Sequence, residues 1–322
     1  MNVFIADQIP QEALEILKKN ALTFEMYQGE KLIDKKTLIE KVADVEYLIT
    51  PLSTQVDKEV IDAAPKLKLI ANFGAGTNNI DTEYAAQKKI PVTNTPYVSA
   101  ISTAEVTISL ILALMHRVVE GDALMRTEGF NGWAPLFFLG HQLLNKTVGI
   151  IGLGQIGQEV AKRLRAFDME ILYTQRHQAP SELEEKLNVK YVSKDELLKR
   201  SDVVTLHIPA TKETTHYLGE REFKLMKDSA ILVNAARGQV IDEQLLPEML
   251  ESKEIAGVAL DVYEKEPFVS DELKKLSNVI LTPHVGNATV EARDDMAQIV
   301  AENVSAMAAG QSAKYIVNSI DV

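Results

Sequence analysis

The sequence predicts an α/β protein with two doubly wound domains, each built on a parallel sheet. Three observations lead to this prediction. Short apolar runs alternate with amphipathic segments through most of the 322 residues, as they do where helices link parallel strands. A long helical segment interrupts this alternation once, so the strands fall into two groups. Hydrophobic residues make up 46% of the chain, which is enough for two sizeable cores.

The first group of strands precedes the long helical segment. It comprises residues 3–6, 22–27, 45–50, 67–73 and 90–94. The segments between these strands, among them "QEALEILKKN", have helical spacing and polar outer faces, which favours a sheet covered on both sides. A helix near the end of the chain is predicted to stop at Gly310, and "AKYIVN" (313–318) to form a last short strand. The apolar stripe of that helix comprises Met296, Ile299, Val300, Val304 and Met307.

The interrupting segment, roughly 102–129, is predicted to be one long helix. Its first half is apolar nearly all round, which indicates burial against more than one sheet face. A loop at 129–140 follows and contains Trp133, the only tryptophan of the chain. The alternation then resumes with the second group of strands, read as "TVGIIG", "EILYT", "VKYV", "DVVTLHI", "AILVNA", "IAGVALDV" and "NVILT".

Composition excludes several classes of function. The net charge of −12 disfavours a nucleic-acid partner, which usually requires a basic face. Cysteine is absent, so thiol catalysis and cysteine-ligated metal are excluded, and the sequence offers no convincing metal-ligand cluster. The start "MNVFIADQIP" lacks the layout of a signal peptide, and the most apolar stretch (106–115) is too short for a bilayer. We therefore expect a soluble, cytoplasmic protein without a metal or a membrane partner.

The strongest local motif is "TVGIIGLGQIG", which places three glycines between a strand and an amphipathic helix. Gly152 permits a tight turn, Gly154 lets the backbone approach a pyrophosphate, and Gly157 lets the helix pack closely on its strand. The helix N-terminus then offers N–H groups to phosphate. The motif predicts a dinucleotide site with backbone contacts from Gly152, Leu153, Gly154, Gln155, Ile156 and Gly157.

The next strand ends at Gln175 and Arg176, where an acid would be expected to bind the ribose of NAD. Gln175 removes the repulsion that an acid would exert on a 2′-phosphate, and Arg176 supplies a cation, with His177 in reserve. NADP is therefore favoured over NAD. NAD stays the alternative because a glutamine also hydrogen-bonds a hydroxyl. A solvated arginine with nothing to bind is the structural alternative.

Polar residues follow three consecutive strands of the second group. Arg237 follows the first of them, Asp261 and Glu266 follow the second, and His284 follows the third. Because carboxyl ends of parallel strands meet at one edge of a sheet, we expect these side chains to converge at a ligand site.

With these motifs the chain resembles the D-2-hydroxyacid dehydrogenase family. "GLGQIG", "NAARG", "DVYEKEP" and "TPHVG" occur in the order and spacing of that family, and so do "FGAGTNNID" and "STAEVTISLILAL". The resemblance implies a flavodoxin-like substrate domain made of 1–98 and 289–322, and a Rossmann dinucleotide-binding domain made of 99–288. It also implies a cleft between the domains and a homodimer through the long helix.

The resemblance also assigns roles to residues. Arg237 would bind the carboxylate and keto oxygen of a 2-keto acid, His284 would donate the proton, and Glu266 would pair with His284. Backbone N–H groups of Ala75 and Gly76 would hold the carboxylate. Two further substrate contacts are Leu52 and Trp133, where Trp133 either reaches the partner subunit's pocket or anchors packing. The remaining dinucleotide contacts would be Thr103, His207, Ile208, Pro209, Ala235, Ala236, Asp261, His284 and Gly286.

The small-molecule partner expected from this pattern is a 2-keto or 2-hydroxy acid. Gln175 followed by Arg176 is similar to the pattern of glyoxylate/hydroxypyruvate reductases, so an NAD(P)H-dependent 2-keto acid reductase is expected. Two alternatives stay open: an NAD-dependent enzyme of the phosphoglycerate dehydrogenase type, and a non-enzymatic, dinucleotide-sensing scaffold similar to the corepressors of the superfamily. The sequence does not rank individual keto acids.

Overall fold

The computed structural model describes residues 2–319, which form two compact units. Unit 1 consists of the chain up to Ser99 and the chain from Ala288 onward, and unit 2 is Ala100–Asn287. These limits lie one residue away from the predicted ones at 98/99 and 288/289. Each unit contains one parallel sheet, so the predicted fold class is confirmed.

The sheet of unit 1 has five parallel strands in the order β2-β1-β3-β4-β5, which is the flavodoxin-like order. Its strands are β1 (Val3–Ile5), β2 (Phe24–Met26), β3 (Tyr47–Pro51), β4 (Leu69–Phe73) and β5 (Val92–Thr93). The helices between them are α1 (Gln11–Lys19), α2 (Lys35–Val42), α3 (Lys58–Asp62) and α4 (Thr82–Gln87). Asp34, Asp57 and Asp81 begin α2, α3 and α4 because their carboxylates accept backbone N–H groups of the first turn.

The sheet of unit 2 has seven parallel strands in the order β12-β11-β10-β9-β6-β7-β8. Its strands are β6 (Thr147–Ile151), β7 (Glu170–Thr174), β8 (Lys190–Tyr191), β9 (Val203–Leu206), β10 (Ile231–Asn234), β11 (Gly257–Leu260) and β12 (Val279–Leu281). The strand order reverses between β6 and β9, and ligands of such folds bind at that point, beyond the carboxyl ends of the strands.

The helices of unit 2 cover both faces of this sheet. They are α5 (Ala100–Met115), α6 (Val118–Thr127), α7 (Gln155–Leu164), α8 (Ser181–Leu187), α9 (Lys194–Arg200), α10 (Glu220–Phe223), α11 (Leu246–Glu251) and α12 (Asp271–Lys275). Alternate residues of β10 enter different cores, since Leu232 packs in one cluster and Ile231 and Val233 in the other.

The predicted single helix at 102–129 is wrong, because the segment forms two helices, α5 and α6, with a bend of 61° between them. Arg117 between them has a left-handed backbone with φ of 56°, which ends the first helix. Its guanidinium bonds Glu120 and lies over the ring of Phe138, which holds the bend. Within residues 2–319 no single helix is long and apolar enough to cross a membrane. Among these residues, α5 and α6 reach that length and composition only when the bent pair is counted together.

The last helix, α13 (Val290–Ala308), belongs to unit 1 and packs on α1 and β4. Met296, Val300 and Val304 of its predicted stripe are buried, and Gly310 follows its end with φ of 74°. The predicted strand at 313–318 is wrong: Ile316 forms only an isolated antiparallel bridge. Backbone bonds of Val317 and Tyr315 to the β5 region flank this bridge, and the side chain of Asn318 accepts the N–H of Val92.

Candidate active site

The glycine turn between β6 and α7 leaves space where a phosphate group would lie. A Cβ on Gly152, whose φ is +99°, would lie 2.5 Å from the carbonyl oxygen of His207, and one on Gly157 would lie 2.2 Å from the carbonyl oxygen of Gly152. Apart from Gly154 and its chain neighbours, no residue in the described part of the chain has an atom within 4 Å of a Cβ built on Gly154. The outer glycines thus allow close packing, and the middle one leaves the N-terminus of α7 accessible. This geometry fits a dinucleotide pyrophosphate.

Gln175 connects the glycine turn to the end of β7. Its side-chain oxygen accepts the backbone N–H of Leu153 at 3.0 Å, and its side-chain nitrogen donates to the carbonyl of His177 at 2.8 Å. The amide therefore lies at the position predicted for the ribose-binding residue. It also joins the glycine turn to the turn after β7. Sequence reasoning did not foresee this second task.

Arg176 is exposed beside this turn and is available to a ligand. In the part of the chain that the structure describes, its guanidinium forms no hydrogen bond or salt bridge. The pKa of Glu213 is lowered chiefly by a hydrogen bond from the Thr211 hydroxyl and, to a smaller degree, by the charge of Arg176. The cation therefore stands near the dinucleotide site without a fixed carboxylate partner.

The residues after β9 lie against the glycine turn. A Cβ on Gly152 would also lie 2.8 Å from Cγ2 of Ile208, so Ile208 is in contact with the turn, as predicted for this position. The imidazole of His207 receives or donates one bond, between Nε2 and Oγ1 of Thr205 at 3.0 Å, and burial lowers its pKa to about 3. This imidazole is therefore neutral at physiological pH. Pro209 is exposed, and its carbonyl accepts the hydroxyl of Thr214.

Asn234, the last residue of β10, builds the turn that carries Arg237. Its side chain accepts the N–H of Ala236 at 3.0 Å and donates to the carbonyl of Arg237 at 2.9 Å. A Cβ on Gly238 would lie 1.9 Å from the carbonyl carbon of Tyr263, so this turn packs directly on the backbone after β11. Sequence reasoning missed Asn234; the only signal was a polar residue at the end of a buried strand.

The guanidinium of Arg237 is mostly buried and has no salt bridge within residues 2–319. Its one hydrogen bond goes to the carbonyl of Ala236 at 2.6 Å. Burial lowers the pKa of Arg237, and the nearby charge of Glu266 opposes that change. Arginine stays charged in proteins, so a buried cation with unused donors faces this part of the site.

Glu266 and His284 form a hydrogen-bonded pair. Nδ1 of His284 lies 2.9 Å from Oε2 of Glu266, and Oε1 of Glu266 accepts the N–H of Tyr263. Burial raises the pKa of Glu266, but the bond and charge of His284, with Arg237 adding less, lower it below its ordinary value. Nε2 of His284 has no hydrogen-bond partner in residues 2–319. The predicted trio of Arg237, Glu266 and His284 thus comes together in unit 2.

Asp261 holds the turn on which His284 lies. Its buried carboxylate accepts the N–H groups of Val285 and Gly286, both at 2.8 Å, and the hydroxyl of Thr282 at 2.6 Å. His284 has φ of 53°, a left-handed conformation that these bonds support. A Cβ on Gly286 would lie 3.1 Å from Asp261 and 3.3 Å from Thr103, so the predicted residues of this corner are close together.

A second polar turn lies at the end of β4 in unit 1. Asn72 donates to the carbonyl of Gly76 at 2.6 Å, and Asn94 donates to the carbonyl of Ala75 at 2.7 Å. The N–H groups of Ala75 and Gly76 have no acceptor within residues 2–319. A Cβ on Gly74 would lie 2.6 Å from Leu52, which places the predicted Leu52 against the same turn. Two free N–H groups next to an apolar side chain suit a carboxylate.

Comparison with known proteins identifies the family. The profile described as "D-isomer specific 2-hydroxyacid dehydrogenase, NAD binding domain" matches residues 108–286. A relative from Staphylococcus haemolyticus (strain JCSC1435) carries a 2-hydroxyacid dehydrogenase name and is 52% identical over 316 residues. The alignment covers 98% of this chain and 99% of the relative. The chain belongs to the D-isomer-specific 2-hydroxyacid dehydrogenase family.

Solved structures agree with this 2-hydroxyacid dehydrogenase fold. The TT0316 protein from Thermus thermophilus has a TM-score of 0.93 and 37% identity, with 98% of this chain and 100% of that one covered. An NADPH-dependent glyoxylate/hydroxypyruvate reductase from Sinorhizobium meliloti has a TM-score of 0.82 and 29% identity, with 98% and 97% covered. Unit 2 is therefore the dinucleotide-binding part of an oxidoreductase that acts on 2-hydroxy acids.

Trp133 of this dehydrogenase lies in an exposed loop. Its side chain is 83% exposed, whereas Phe130 and Phe137 nearby stack on each other at 6.2 Å. Both roles predicted for Trp133, a packing anchor and a contact with the partner subunit's substrate pocket, stay predictions.

Proposed function

We propose that this dehydrogenase reduces a small 2-keto acid, as glyoxylate/hydroxypyruvate reductases do, and that His284 donates the proton. The observation that carries the proposal is the 2.9 Å contact between Glu266 and His284 beside a buried Arg237 without a salt bridge in residues 2–319. A bound nicotinamide dinucleotide would supply the hydride, and the residues of the chain would bind, orient and protonate the substrate.

Arg237 would bind the carboxylate of the keto acid. A guanidinium presents two parallel N–H groups that match the two oxygens of a carboxylate. Its unused donors require an anion, because a buried cation without a partner is costly. This contact would fix which face of the carbonyl group receives the hydride.

His284 would donate its Nε2 proton to the oxygen that develops negative charge. The contact of Nδ1 with Glu266 fixes the orientation of the ring and leaves Nε2 without a partner in residues 2–319. The ionised state of Glu266 agrees with this task, since its pKa is held below its ordinary value. Asp261 would act by holding the turn of His284 as well as by its predicted place near the nicotinamide.

Unit 1 would contribute the backbone N–H groups of Ala75 and Gly76 as further carboxylate donors, with Leu52 next to the substrate. The support for this part is that the carbonyls of the turn are bonded by Asn72 and Asn94, whereas the two N–H groups are free within residues 2–319. Backbone donors arranged in this way bind anions without the flexibility of a side chain.

NADPH is the proposed reductant, with NADH as the alternative. Arg176 supplies a cation that is unpaired among the described residues, and Gln175 replaces the acid that would repel a 2′-phosphate. The Sinorhizobium meliloti neighbour is described as NADPH-dependent, which is consistent with this proposal.

A homodimer is proposed on the basis of exposed apolar side chains on α6 and the loop after it. In this region Val118, Met125 and Trp133 are 57%, 57% and 83% exposed. Several large apolar side chains exposed along one stretch of an acidic protein are typical of a subunit interface. Light scattering of the wild type and of Val118→Asp would test it, because a charge there should convert the dimer to a monomer.

The test of the proposed function is a matrix of rates. NADPH and NADH are each combined with glyoxylate, hydroxypyruvate, pyruvate and bulkier branched or aromatic keto acids. We expect reduction of the small keto acids, with a kcat/KM for NADPH above that for NADH. Nucleotide binding without turnover of any keto acid would instead support the scaffold alternative.

A further inference from the structure

The nine arginines of the chain differ in whether a carboxylate neutralises them. Five form salt bridges: Arg117, Arg126, Arg163, Arg200 and Arg221. Among the described residues the other four have no carboxylate partner, and three of these are Arg165, Arg176 and Arg237. Arg165 bonds a backbone carbonyl, whereas Arg176 and Arg237 lie at the proposed nucleotide and substrate positions. The fourth, Arg293 in unit 1, has no role so far.

Arg293 is half-buried in the first turn of α13. Its guanidinium carbon lies 5.8 Å from the ring centroid of Phe73, the last residue of β4. Within residues 2–319 its side chain has no hydrogen bond and no salt bridge, and burial lowers its pKa. A chain with net charge −12 has many carboxylates that could neutralise this cation, yet none of the described ones does. A desolvated guanidinium without an anion is costly, which indicates that a ligand supplies the anion.

The position of Arg293 relates it to the turn of Ala75 and Gly76. Phe73, over whose ring it lies, leads directly into Gly74 and this turn. The carboxyl end of β4 therefore carries two kinds of anion donor: two backbone N–H groups that are free within residues 2–319 and, on the α13 side of Phe73, a guanidinium. A carboxylate accepts about four hydrogen bonds, and in the proposed function Arg237 and the two N–H groups already supply four, so the guanidinium of Arg293 suits a second anionic group of the ligand.

We propose that Arg293 binds a second anionic group of the substrate, so that the preferred substrates are 2-keto acids with a second carboxylate or a phosphate ester. This inference rests on the proposed function, because it assumes that a keto acid binds at the turn of unit 1. Glyoxylate, which has one anionic group, would then be a minimal substrate that leaves Arg293 unused.

The test compares keto acids of equal chain length in the NADPH-dependent assay. Oxaloacetate has a second carboxylate, whereas 2-oxobutyrate has a methyl group in its place. Wild type should prefer oxaloacetate, and Arg293→Gln should lower kcat/KM for oxaloacetate by about 10- to 100-fold, the size of a charged hydrogen bond. The same variant should change kcat/KM for 2-oxobutyrate by less than about twofold, and Arg293→Lys should fall between. Arg165→Gln is the matched control and should leave both substrates unchanged.

A phosphorylated hydroxypyruvate, measured beside oxaloacetate, distinguishes the two sources of the second anion. A selective loss for either compound supports the inference and names the group. An equal loss for oxaloacetate and 2-oxobutyrate, or a lowered melting temperature with unchanged substrate preference, would overturn it and leave Arg293 as a packing residue. If the wild type reduces no keto acid at all, the proposed function fails instead.

Discussion

Two histidine–glutamate pairs arise from the same turn after β11, and they differ in their surroundings. Nδ1 of His284 lies 2.9 Å from Glu266, and Nε2 of His216 lies 3.1 Å from Glu264. Both histidines have a left-handed backbone, with φ of 53° and 50°. By contact alone, the two pairs are equally good candidates for an acid–base pair.

The charges around the two pairs separate them. The first pair lies next to the cation of Arg237, which has no salt bridge among residues 2–319. The second has a further carboxylate, Asp242, 3.8 Å from Nδ1 of His216, so both ring nitrogens face acids. An anionic substrate would be attracted to the first and repelled by the second. For an anionic substrate, the cation beside the first pair therefore makes it the better candidate for an acid–base pair, although the two histidine–carboxylate contacts are alike.

The largest effect is expected from a substitution that removes His284 from the first pair and leaves the second pair intact. His284→Ala should lower kcat for keto-acid reduction by about 100- to 10,000-fold, because it removes the proposed proton donor. His216→Ala, the matched control, should change kcat by less than about threefold. Nucleotide binding, measured by fluorescence titration, should stay normal in both. Similar losses in the two variants would show that the pairs act as one unit.

Asp261→Asn should have the next largest effect. The asparagine presents an NH2 group to at least one of the N–H donors of Val285 and Gly286, so the turn of His284 loosens. We expect kcat to fall by about 10- to 100-fold and the free energy of unfolding by about 1–3 kcal/mol. Asp242→Asn near His216 is the control and should do neither. A normal rate in Asp261→Asn would mean that the turn holds without the carboxylate.

The sequence predicted which residues follow which strand, and that was enough for much of the site. Arg237, Glu266 and His284 converge because parallel strands bring their carboxyl ends to one edge. The glycine motif likewise predicted a tight turn and an accessible helix N-terminus, because a side chain at these positions would clash with the neighbouring backbone or cover the N-terminus of α7. Periodicity, however, did not reveal that α5 and α6 are separate. The residues between the two helices, His116 and Arg117, include no glycine or proline that would signal a break, and in the structure the left-handed backbone of Arg117 marks it.

The hydrogen bonds that position the site could not be read from the sequence. Asn234 folds the turn of Arg237 through its own side chain, and Asp261 fixes the turn of His284 through bonds to backbone groups many positions away. Neither motif spacing nor composition encodes such contacts. The same applies to Gln175, which the pattern assigned to the ribose and which also binds the N–H of Leu153.

A smaller effect is expected from Arg176→Ala, which tests whether an unpaired cation marks a ligand site at the nucleotide end as well. The KM for NADPH should rise by about tenfold, since one charge-assisted contact to phosphate is lost, and the KM for NADH should change by less than about twofold. Arg165→Ala, at an arginine bonded only to a carbonyl among the described residues, is the matched control. Equal changes for both nucleotides would remove Arg176 from the phosphate site.

The smallest effects are expected in the pH dependence of stability. They compare Glu266, in the turn after β11, with Glu243, which bonds the same turn. The pKa of Glu266 is lowered from 4.5, so its stabilising contribution is present above that value and is lost as pH falls through the lower folded-state pKa. Glu243, which accepts the N–H of Glu264, has its pKa raised by burial, so it opposes folding as pH rises. As pH rises from about 3 to about 7, Glu266→Gln should therefore become less stable relative to wild type, mainly below about 4.5, and Glu243→Gln more stable, mainly above it.

Solvent screening limits each of these differences to about 0.5 kcal/mol, which urea unfolding at several pH values resolves when variants are measured in parallel. The sign of the slope matters more than its size. Slopes of the same sign in Glu266→Gln and Glu243→Gln would mean that His284 does not stabilise the ionised form of Glu266. The first pair would then lose the support that the lowered pKa of Glu266 gives to its proposed role.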